Sequence, residues 1–204
     1  MAAPVRAREV LDVSPLPAYA FGSRSEVSFG TAGFIAIEGM MFALLIASYL
    51  HLRARNTVWP MGVAPPDLLW GTLNLILLFV SAIPNQLAKR AGERLDLPKV
   101  QLWMSVCLLF GVVLLGIRLM EFRSLNVAWD TNAYGSLVWA LLGFHAMHLV
   151  TDVGDTAVLA GVMFAGPLEE SRFVDVSENA FYWYFVIAAW VPIYVVLYLV
   201  PRIS

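Results

Sequence analysis

Four ionisable side chains follow one another at helical spacing in the second half of the chain. They are His145, His148, Asp152 and Asp155, separated by three, four and three residues, and these intervals place all four on one face of an α-helix. Imidazole and carboxyl groups so arranged can share protons, form a hydrogen-bond cluster or bind a metal ion. They lie within about thirty mostly apolar residues, so we expect them at membrane depth, where ionisable groups are costly and indicate function.

The elements that position these groups are predicted from hydropathy. The chain has 204 residues, of which 60% are hydrophobic, and its mean hydropathy is +0.74, whereas ordinary soluble domains are roughly 45–50% apolar. The excess is gathered in five blocks, each long enough to cross a bilayer, which takes about twenty residues. The sequence therefore predicts an all-α integral membrane bundle of five transmembrane helices, over residues 30–52, 68–87, 100–122, 134–164 and 181–200.

The residues outside the five spans predict an N-terminal tail and the orientation of the chain in the membrane. Prolines and charges interrupt residues 1–29, which we expect to form an N-terminal cytoplasmic tail, and residues 30–204 to form the membrane domain. An odd number of spans places the termini on opposite sides. With the N-terminus inside, eight basic residues lie inside (Arg6, Arg8, Arg24, Lys89, Arg90, Arg94, Lys99 and Arg172) and four outside (Arg53, Arg55, Arg123 and Arg202). The positive-inside rule then places the C-terminus outside.

Charge and cysteine content exclude some classes of protein. The formal net charge is -2, and no basic patch or stacking motif indicates a nucleic-acid partner. The chain has one cysteine, Cys107, which rules out an internal disulfide and metal sites built on paired thiolates.

Glu38 adds a further carboxyl group within the first predicted span. At 1.5 Å per residue, it lies about 12 Å from the inner end of its helix, against about 14 Å for Asp155 and about 24 Å for His148. Glu38 is therefore nearest in depth to the aspartates, and helix tilt or an earlier helix end would bring it to His148. Four roles stay open: a structural hydrogen-bond cluster, a proton-conducting or proton-buffering site, a metal site, and haem ligation by His145 or His148.

The third span carries its own pair of charges near its far end. Arg118 and Glu121 are three residues apart, which places them close enough on a helix to form an ion pair.

Several short motifs, taken in chain order, resemble those of one known family. Gly30 precedes Glu38 by eight residues, and Trp59-Pro60 is followed by Gly62 and Pro65. Three further motifs are Arg118-x-x-Glu121-Phe122, Tyr134-Gly135-Ser136 followed by Gly143-Phe144-His145-Ala146-Met147-His148, and Tyr182-Trp183-Tyr184-Phe185-Val186 followed by Trp190. Together, at matching spacing, they resemble subunit III of the haem–copper respiratory oxidases, also called cytochrome c oxidase subunit III.

This resemblance implies a five-helix form that lacks the first two helices of longer members. It implies an accessory subunit with no catalytic residue and no haem or copper of its own, these cofactors being held by partner subunits. The expected partners are subunit I, subunit II and bound phospholipid, and the expected role is to support proton uptake and sustained turnover in a bacterial inner membrane. Glu38 and His148 match the family's buried glutamate–histidine pair, and His145 and Glu121 match other polar positions.

The sequence also departs from the family pattern. The family's glutamine is Arg118 here, and in the last helix its histidine and aspartate are Tyr184 and Ile187. Asp152 and Asp155 stand where the family is usually apolar or small, so Asp152 is a candidate contact with another subunit. Candidate lipid-binding residues are Arg118, Arg53 and Trp59.

Two other functions are compatible with the sequence. Subunit III-like proteins also accompany nitric oxide reductases, so the chain could serve such a complex. A stand-alone membrane metalloenzyme using His145, His148, Asp152 and Asp155 is the alternative from a different class.

Overall fold

A computed structural model describes residues 20–22, 25–166 and 169–203, so most of the predicted tail at residues 1–29 lies outside the described part. Five helices follow in order: α1 (Glu26–Arg55), α2 (Leu68–Glu93), α3 (Leu97–Arg123), α4 (Ala133–Phe164) and α5 (Arg172–Tyr194). A π-helical turn at Val195–Leu199 and a 3₁₀ turn at Val200–Arg202 continue α5. All five helices are long and apolar enough to cross a membrane, which confirms the predicted all-α bundle.

Side-chain caps define where three of the helices begin. The carboxyl of Asp67 accepts a hydrogen bond from the backbone N–H of Leu69 at the start of α2, and the Asn132 amide oxygen accepts one at the start of α4. Asp96 caps α3 through the backbone N–H of Lys99, satisfying a donor that the helix leaves unpaired. The Lys99 ammonium also donates to Asp96 at 2.5 Å, and this hydrogen bond lowers the pKa of the exposed Asp96 carboxyl.

The helices pack unevenly around the core. Helix α2 packs along α3 and α5, α4 packs along α3 and α5, and α1 packs mainly against α4 and α5. Along α1, Phe42 and Tyr49 are buried, so this helix lies at the edge of the bundle. Close approach of α2 to the final turn requires Gly71, where a Cβ atom would lie 2.5 Å from the Tyr198 ring.

Several helix boundaries differ from the prediction, and two of the differences affect the polar residues. Helix α1 begins at Glu26 rather than residue 30, so Glu38 lies twelve residues into it, or about 18 Å. Helix α5 begins at Arg172 rather than residue 181, so residues 172–180, which lie between the fourth and fifth predicted spans, are helical. Asp175 and Glu178 lie before the apolar block, yet both belong to the helix. Charged side chains on one face are compatible with helical backbone.

Candidate functional site

The first polar group, here called the Glu38 cluster, is partly buried and joins α1, α4 and α5 through Glu38, His148 and Tyr182. The Tyr182 hydroxyl donates a 2.7 Å hydrogen bond to Oε2 of Glu38, and Nε2 of His148 lies 3.2 Å from Oε1 of the same carboxyl. The ring of Phe42 packs on the imidazole with centroids 5.0 Å apart. The structure thus brings Glu38 and His148 together, and the earlier start of α1 reduces the expected difference in their depths from about 12 Å to about 6 Å.

Backbone contact restricts how His148 can be protonated. Its Nδ1 atom lies 2.6 Å from the carbonyl oxygen of Phe144, and because a carbonyl oxygen only accepts, Nδ1 must carry a proton. Nε2 then faces the Glu38 carboxyl at 3.2 Å, although the alignment falls short of a straight hydrogen bond. A carboxylate and an unprotonated Nε2 are both acceptors, so a hydrogen bond between them requires a proton on one of the two groups.

A second buried group, the Arg118 network, lies deeper between the helices. Nη1 of Arg118 donates to Oε2 of Glu121 at 2.6 Å, which confirms the predicted pairing, and the two side chains are 2% and 1% exposed. The Asn74 amide donates to Oε2 at 3.2 Å, and the Tyr198 hydroxyl donates to Oε1. Such a charge pair is tolerated in a low-dielectric interior because hydrogen bonds engage both carboxyl oxygens and both Nη atoms, while Nε of Arg118 has no partner among the described residues.

His145 belongs to this network rather than to the Glu38 cluster. Nη2 of Arg118 lies 2.9 Å from Nδ1 of His145, and since a guanidinium only donates, Nδ1 is an acceptor. Nε2 therefore carries the proton and donates to the Val186 carbonyl oxygen at 3.0 Å. The guanidinium carbon also lies 3.9 Å from the Trp190 ring centroid. The imidazole is neutral and held in one tautomer. The Arg118 network therefore holds helices together and does not exchange protons.

The two aspartates of α4 have different surroundings. Asp152 is 1% exposed, and its Oδ1 accepts a 3.4 Å hydrogen bond from the Asn179 amide of α5, whereas Oδ2 is buried without a partner among the described residues. Asp155 is exposed. The expectation that Asp152 contacts another subunit is wrong, because its side chain is enclosed within its own chain.

The four ionisable residues of α4 therefore do not form one site. His145 contacts α3 and α5, His148 contacts α1, Asp152 contacts α5, and Asp155 is exposed. Residues seven apart on a helix share a face but lie about 10 Å apart along its axis, so His145 and Asp152 meet different neighbours.

Neither metal chemistry nor haem ligation gains support from this geometry. Over residues 20–22, 25–166 and 169–203, no group of three or more His, Cys, Asp or Glu side chains is arranged to hold a metal ion. Both ring nitrogens of His145 are engaged by protein groups, and His148 faces Glu38 and the Phe144 carbonyl. The geometry of the described residues therefore gives no support to the hypothesis of a stand-alone metalloenzyme.

A cavity of about 740 Å³ lies between α1, α4 and α5, and we call it the acid cavity. Its ionisable lining residues are Glu38, His148, Asp152, Asp155, Asp175 and Glu178, together with Arg172. Phe34, Met147, Val158 and Val162 supply the apolar lining, and all four are exposed, so the cavity is a cleft open along the outer surface of the bundle. From Met147 to Val162 the lining covers about 22 Å of α4, so the cavity runs from the Glu38 cluster to the end of the bundle where α4 is joined to α5.

The three candidate lipid-binding residues are not grouped together. Arg118 is buried, and its Nη atoms are bound by Glu121 and His145, which leaves no exposed nitrogen for a lipid phosphate. Trp59 donates a 3.1 Å hydrogen bond to the Tyr49 hydroxyl and packs edge-on against Tyr49 at 5.0 Å. Arg53 lies half-buried in the last turn of α1. Trp59 and Arg53 therefore share the opposite end of the bundle from the mouth of the acid cavity.

Sequence reasoning missed three polar residues that complete these groups: Tyr182, Asn179 and Tyr198. The tyrosines lie in aromatic runs that resemble a membrane-interface belt, yet their hydroxyls donate to buried carboxyls. Asn179 lies between the fourth and fifth predicted spans, where the sequence predicted no helix. The signal that could have identified two of them is the spacing of Asn179 and Tyr182, which are three residues apart and so on one helical face.

The two residues of α5 that depart from the family pattern both fit the structure. Tyr184 donates a hydrogen bond to Gln86 at 2.5 Å, and Ile187 is buried in the core.

Comparison with known proteins shows where this arrangement belongs. The family described as cytochrome c oxidase subunit III matches residues 16–201. Cytochrome c oxidase subunit 3 of Corynebacterium diphtheriae is 29% identical over 185 residues, covering 85% of this chain and 88% of that protein. The corresponding protein of Thermostichus vulcanus is 25% identical over 177 residues (85% and 87% covered), and that of Bacillus subtilis is 26% identical over 175 residues (84% of each).

The family match includes all five helices and, with them, every residue of the Glu38 cluster and the Arg118 network. Similarity of comparable extent to subunit 3 proteins from three different bacteria supports the same assignment. This chain therefore belongs to the cytochrome c oxidase subunit III family and is part of an oxidase complex.

Proposed function

We propose that this chain is a non-catalytic subunit III of a haem–copper terminal oxidase, which reduces O₂ and translocates protons. In this proposal the haem and copper lie in partner subunits, chiefly subunit I, and the chain supports proton uptake and the stability of the complex. The Glu38–His148 pair is the observation that carries it. A carboxyl and an imidazole, two groups able to exchange a proton, lie 3.2 Å apart and come from two different helices.

A pair of this kind suits proton supply rather than catalysis. Either partner can hold the proton, so the pair can release and regain it without leaving an unpaired charge in the bundle. The acid cavity links the pair to one end of the bundle. By contrast, the polar groups of the Arg118 network bind one another, and the network stabilises helix packing. The two clusters look alike in the sequence but have different roles.

The outer surface of the bundle suits contact with partner subunits and lipid. Large apolar side chains are exposed along α1, with Ile37 72% exposed and Leu44 63% exposed. In a membrane such a surface contacts acyl chains or other transmembrane helices. Arg53 and Trp59 are placed to meet a phospholipid headgroup, since a guanidinium binds phosphate and an indole favours the interface.

The orientation follows from the distribution of basic residues. The N-terminal tail over residues 1–29 is cytoplasmic, the membrane domain covers residues 30–204, and the C-terminus is outside the bacterial inner membrane. The mouth of the acid cavity then faces the cytoplasm, from which an oxidase takes up protons.

Purification of the complex through a tag on this chain tests the proposal. We expect haem-bearing subunits in stoichiometric amount, an optical spectrum of haem, and O₂ consumption. A preparation without haem would contradict the proposal, and one that reduces nitric oxide but not O₂ would assign the chain to a nitric oxide reductase instead.

A further inference from the structure

Two carboxyl groups line the acid cavity at successive levels. At one level Glu38 accepts a hydrogen bond from Tyr182, and at the other Asp152 accepts one from Asn179. Tyr182 and Asn179 are three residues apart on α5, and His148 and Asp152 are four apart on α4. About one helical turn, or 5 to 6 Å, therefore separates the two levels.

Asp152 lacks the partners that an ionised carboxylate requires at this depth. The Asn179 contact at 3.4 Å is long, and Oδ2 has no donor in the part of the chain that the structure describes. Helix α4 continues for twelve residues beyond Asp152, about 18 Å. A buried carboxylate without a cation or several donors is strongly destabilised relative to the neutral acid. The surroundings of Asp152 therefore favour a bound proton.

The other charged and titratable groups around Asp152 are predominantly acidic. Helix α1 contributes Glu38, α4 contributes His148 and Asp155, and α5 contributes Glu178 and Tyr182. The Cys107 thiol of α3 lies within electrostatic range. At the rim, Arg172 is paired with Asp175 at 3.4 Å, so its charge is largely compensated. A cleft lined by one sign of charge concentrates counter-ions, and here those ions include hydrated protons.

We propose that Asp152 is a proton-loading site, which takes a proton from the rim of the acid cavity and exchanges it with the Glu38–His148 pair. The inference rests on the proposed function of that pair. In each cycle the Asp152 carboxyl gives its proton to a water molecule in the cavity, and that water passes a proton to the vacant position of the pair. The Asp152 carboxylate then takes up a proton from solvent at the rim, so each cycle moves one proton from the rim to the pair, and the chain returns to its starting state when the pair releases that proton.

The size and lining of the cavity allow such a water path. A volume of about 740 Å³ is far larger than a single water molecule needs, about 10–15 Å³ on the same measure. Carboxyl groups at the levels of Asp175, Asp155, Asp152 and Glu38 offer acceptors along its length. The unpartnered Oδ2 atom of Asp152 supplies a position at which the proton can be held.

Infrared spectroscopy of the intact complex tests this inference. The wild-type complex is expected to absorb in the carbonyl-stretch region of protonated carboxyl groups at neutral pH, and Asp152→Asn should remove that component. The matched control Asp130→Asn, which removes an exposed carboxyl from the α3–α4 connection, should leave it unchanged. Absence of the component from the wild type, or its persistence in Asp152→Asn, would overturn the inference.

A second variant covers the case in which Asp152→Asn does not assemble. Asn179→Ala removes the hydrogen bond to Oδ1, so the carbonyl stretch of a protonated Asp152 should move to higher frequency. An unchanged band would overturn the inference.

Comparison with Glu38→Gln distinguishes the two proposals. If Glu38→Gln impairs proton uptake while Asp152→Asn leaves the infrared band intact, the loading site is wrong and the proposed function stands. If Asp152→Asn removes the band while Glu38→Gln behaves as wild type, Asp152 does hold a proton and the proposed function of the pair is wrong.

Discussion

The imidazole of His148 on α4 lies 3.2 Å from the carboxyl of Glu38 on α1, and its other nitrogen is fixed by the Phe144 carbonyl at 2.6 Å. Because the carbonyl engages Nδ1, Nε2 is the nitrogen that faces Glu38, and a proton on either Nε2 or the carboxyl can join the two groups. This relationship distinguishes the Glu38 cluster from the Arg118 network, where permanent donors occupy every carboxyl oxygen. It is the basis for assigning proton supply to one cluster and helix packing to the other.

Replacement of Arg118 tests the packing role. Arg118→Leu leaves Glu121 charged and buried without its cation, and loss of one member of a buried pair typically costs about 3–5 kcal/mol in the free energy of unfolding. Arg118→Gln restores the family's residue and keeps an N–H donor near Glu121, so we expect a smaller loss. Titration of the purified chain with a denaturing detergent, followed by circular dichroism, measures both. Equal losses for Leu and Gln would argue against a specific pairing.

The Tyr198 hydroxyl contributes to the same network from the last turns of the chain. Tyr198→Phe removes a hydrogen bond to a charged carboxyl, which typically contributes about 1.5–3 kcal/mol to stability. The control is Tyr194→Phe, which removes a hydroxyl contact with Thr72 at 2.8 Å between neutral partners, worth about 0.5–1.5 kcal/mol. Thermal unfolding in detergent should rank Tyr198→Phe as the more destabilising change. The reverse order would show that Glu121 does not depend on Tyr198.

Two glycines of α3 test the packing of α3 on α4. At Gly111 a Cβ atom would lie 2.5 Å from Cγ2 of Val153, whereas at Gly116 nothing lies within 4 Å. Gly111→Ala should therefore destabilise the chain by about 1–3 kcal/mol through overpacking. Gly116→Ala should be neutral or stabilise it by up to about 1 kcal/mol, because alanine is the better helix former. Detergent-denaturation midpoints of the two variants provide the comparison, and similar midpoints would contradict the observed approach of α3 to α4.

The sequence was sufficient for features that depend on local spacing. Five apolar blocks predict five helices, and the separation of Arg118 and Glu121 predicts their ion pair, since helix geometry alone brings residues three apart together. Helix starts were less well predicted. Glu26 and Arg172 lie outside the apolar blocks, and hydropathy cannot distinguish a helix that extends beyond the membrane from a loop.

Contacts between distant residues could not be derived from spacing. Tyr182 and Glu38 are 144 positions apart, and their contact depends on how α5 packs against α1. The shared face of His145, His148 and Asp152 suggested one site, but three different helices supply their partners. The resemblance to subunit III was needed to pair Glu38 with His148, because the predicted depths favoured the aspartates.

Proton uptake and turnover lifetime of the Glu38→Gln complex test the central claim most directly. Glutamine has the same shape, can accept from Tyr182 and can donate to His148, but it cannot exchange a proton. We expect normal assembly and haem content, with slower proton uptake or a severalfold shorter active lifetime during O₂ reduction. Proton uptake, its pH dependence and the active lifetime all equal to those of the wild type would contradict the account and leave Glu38 a structural residue.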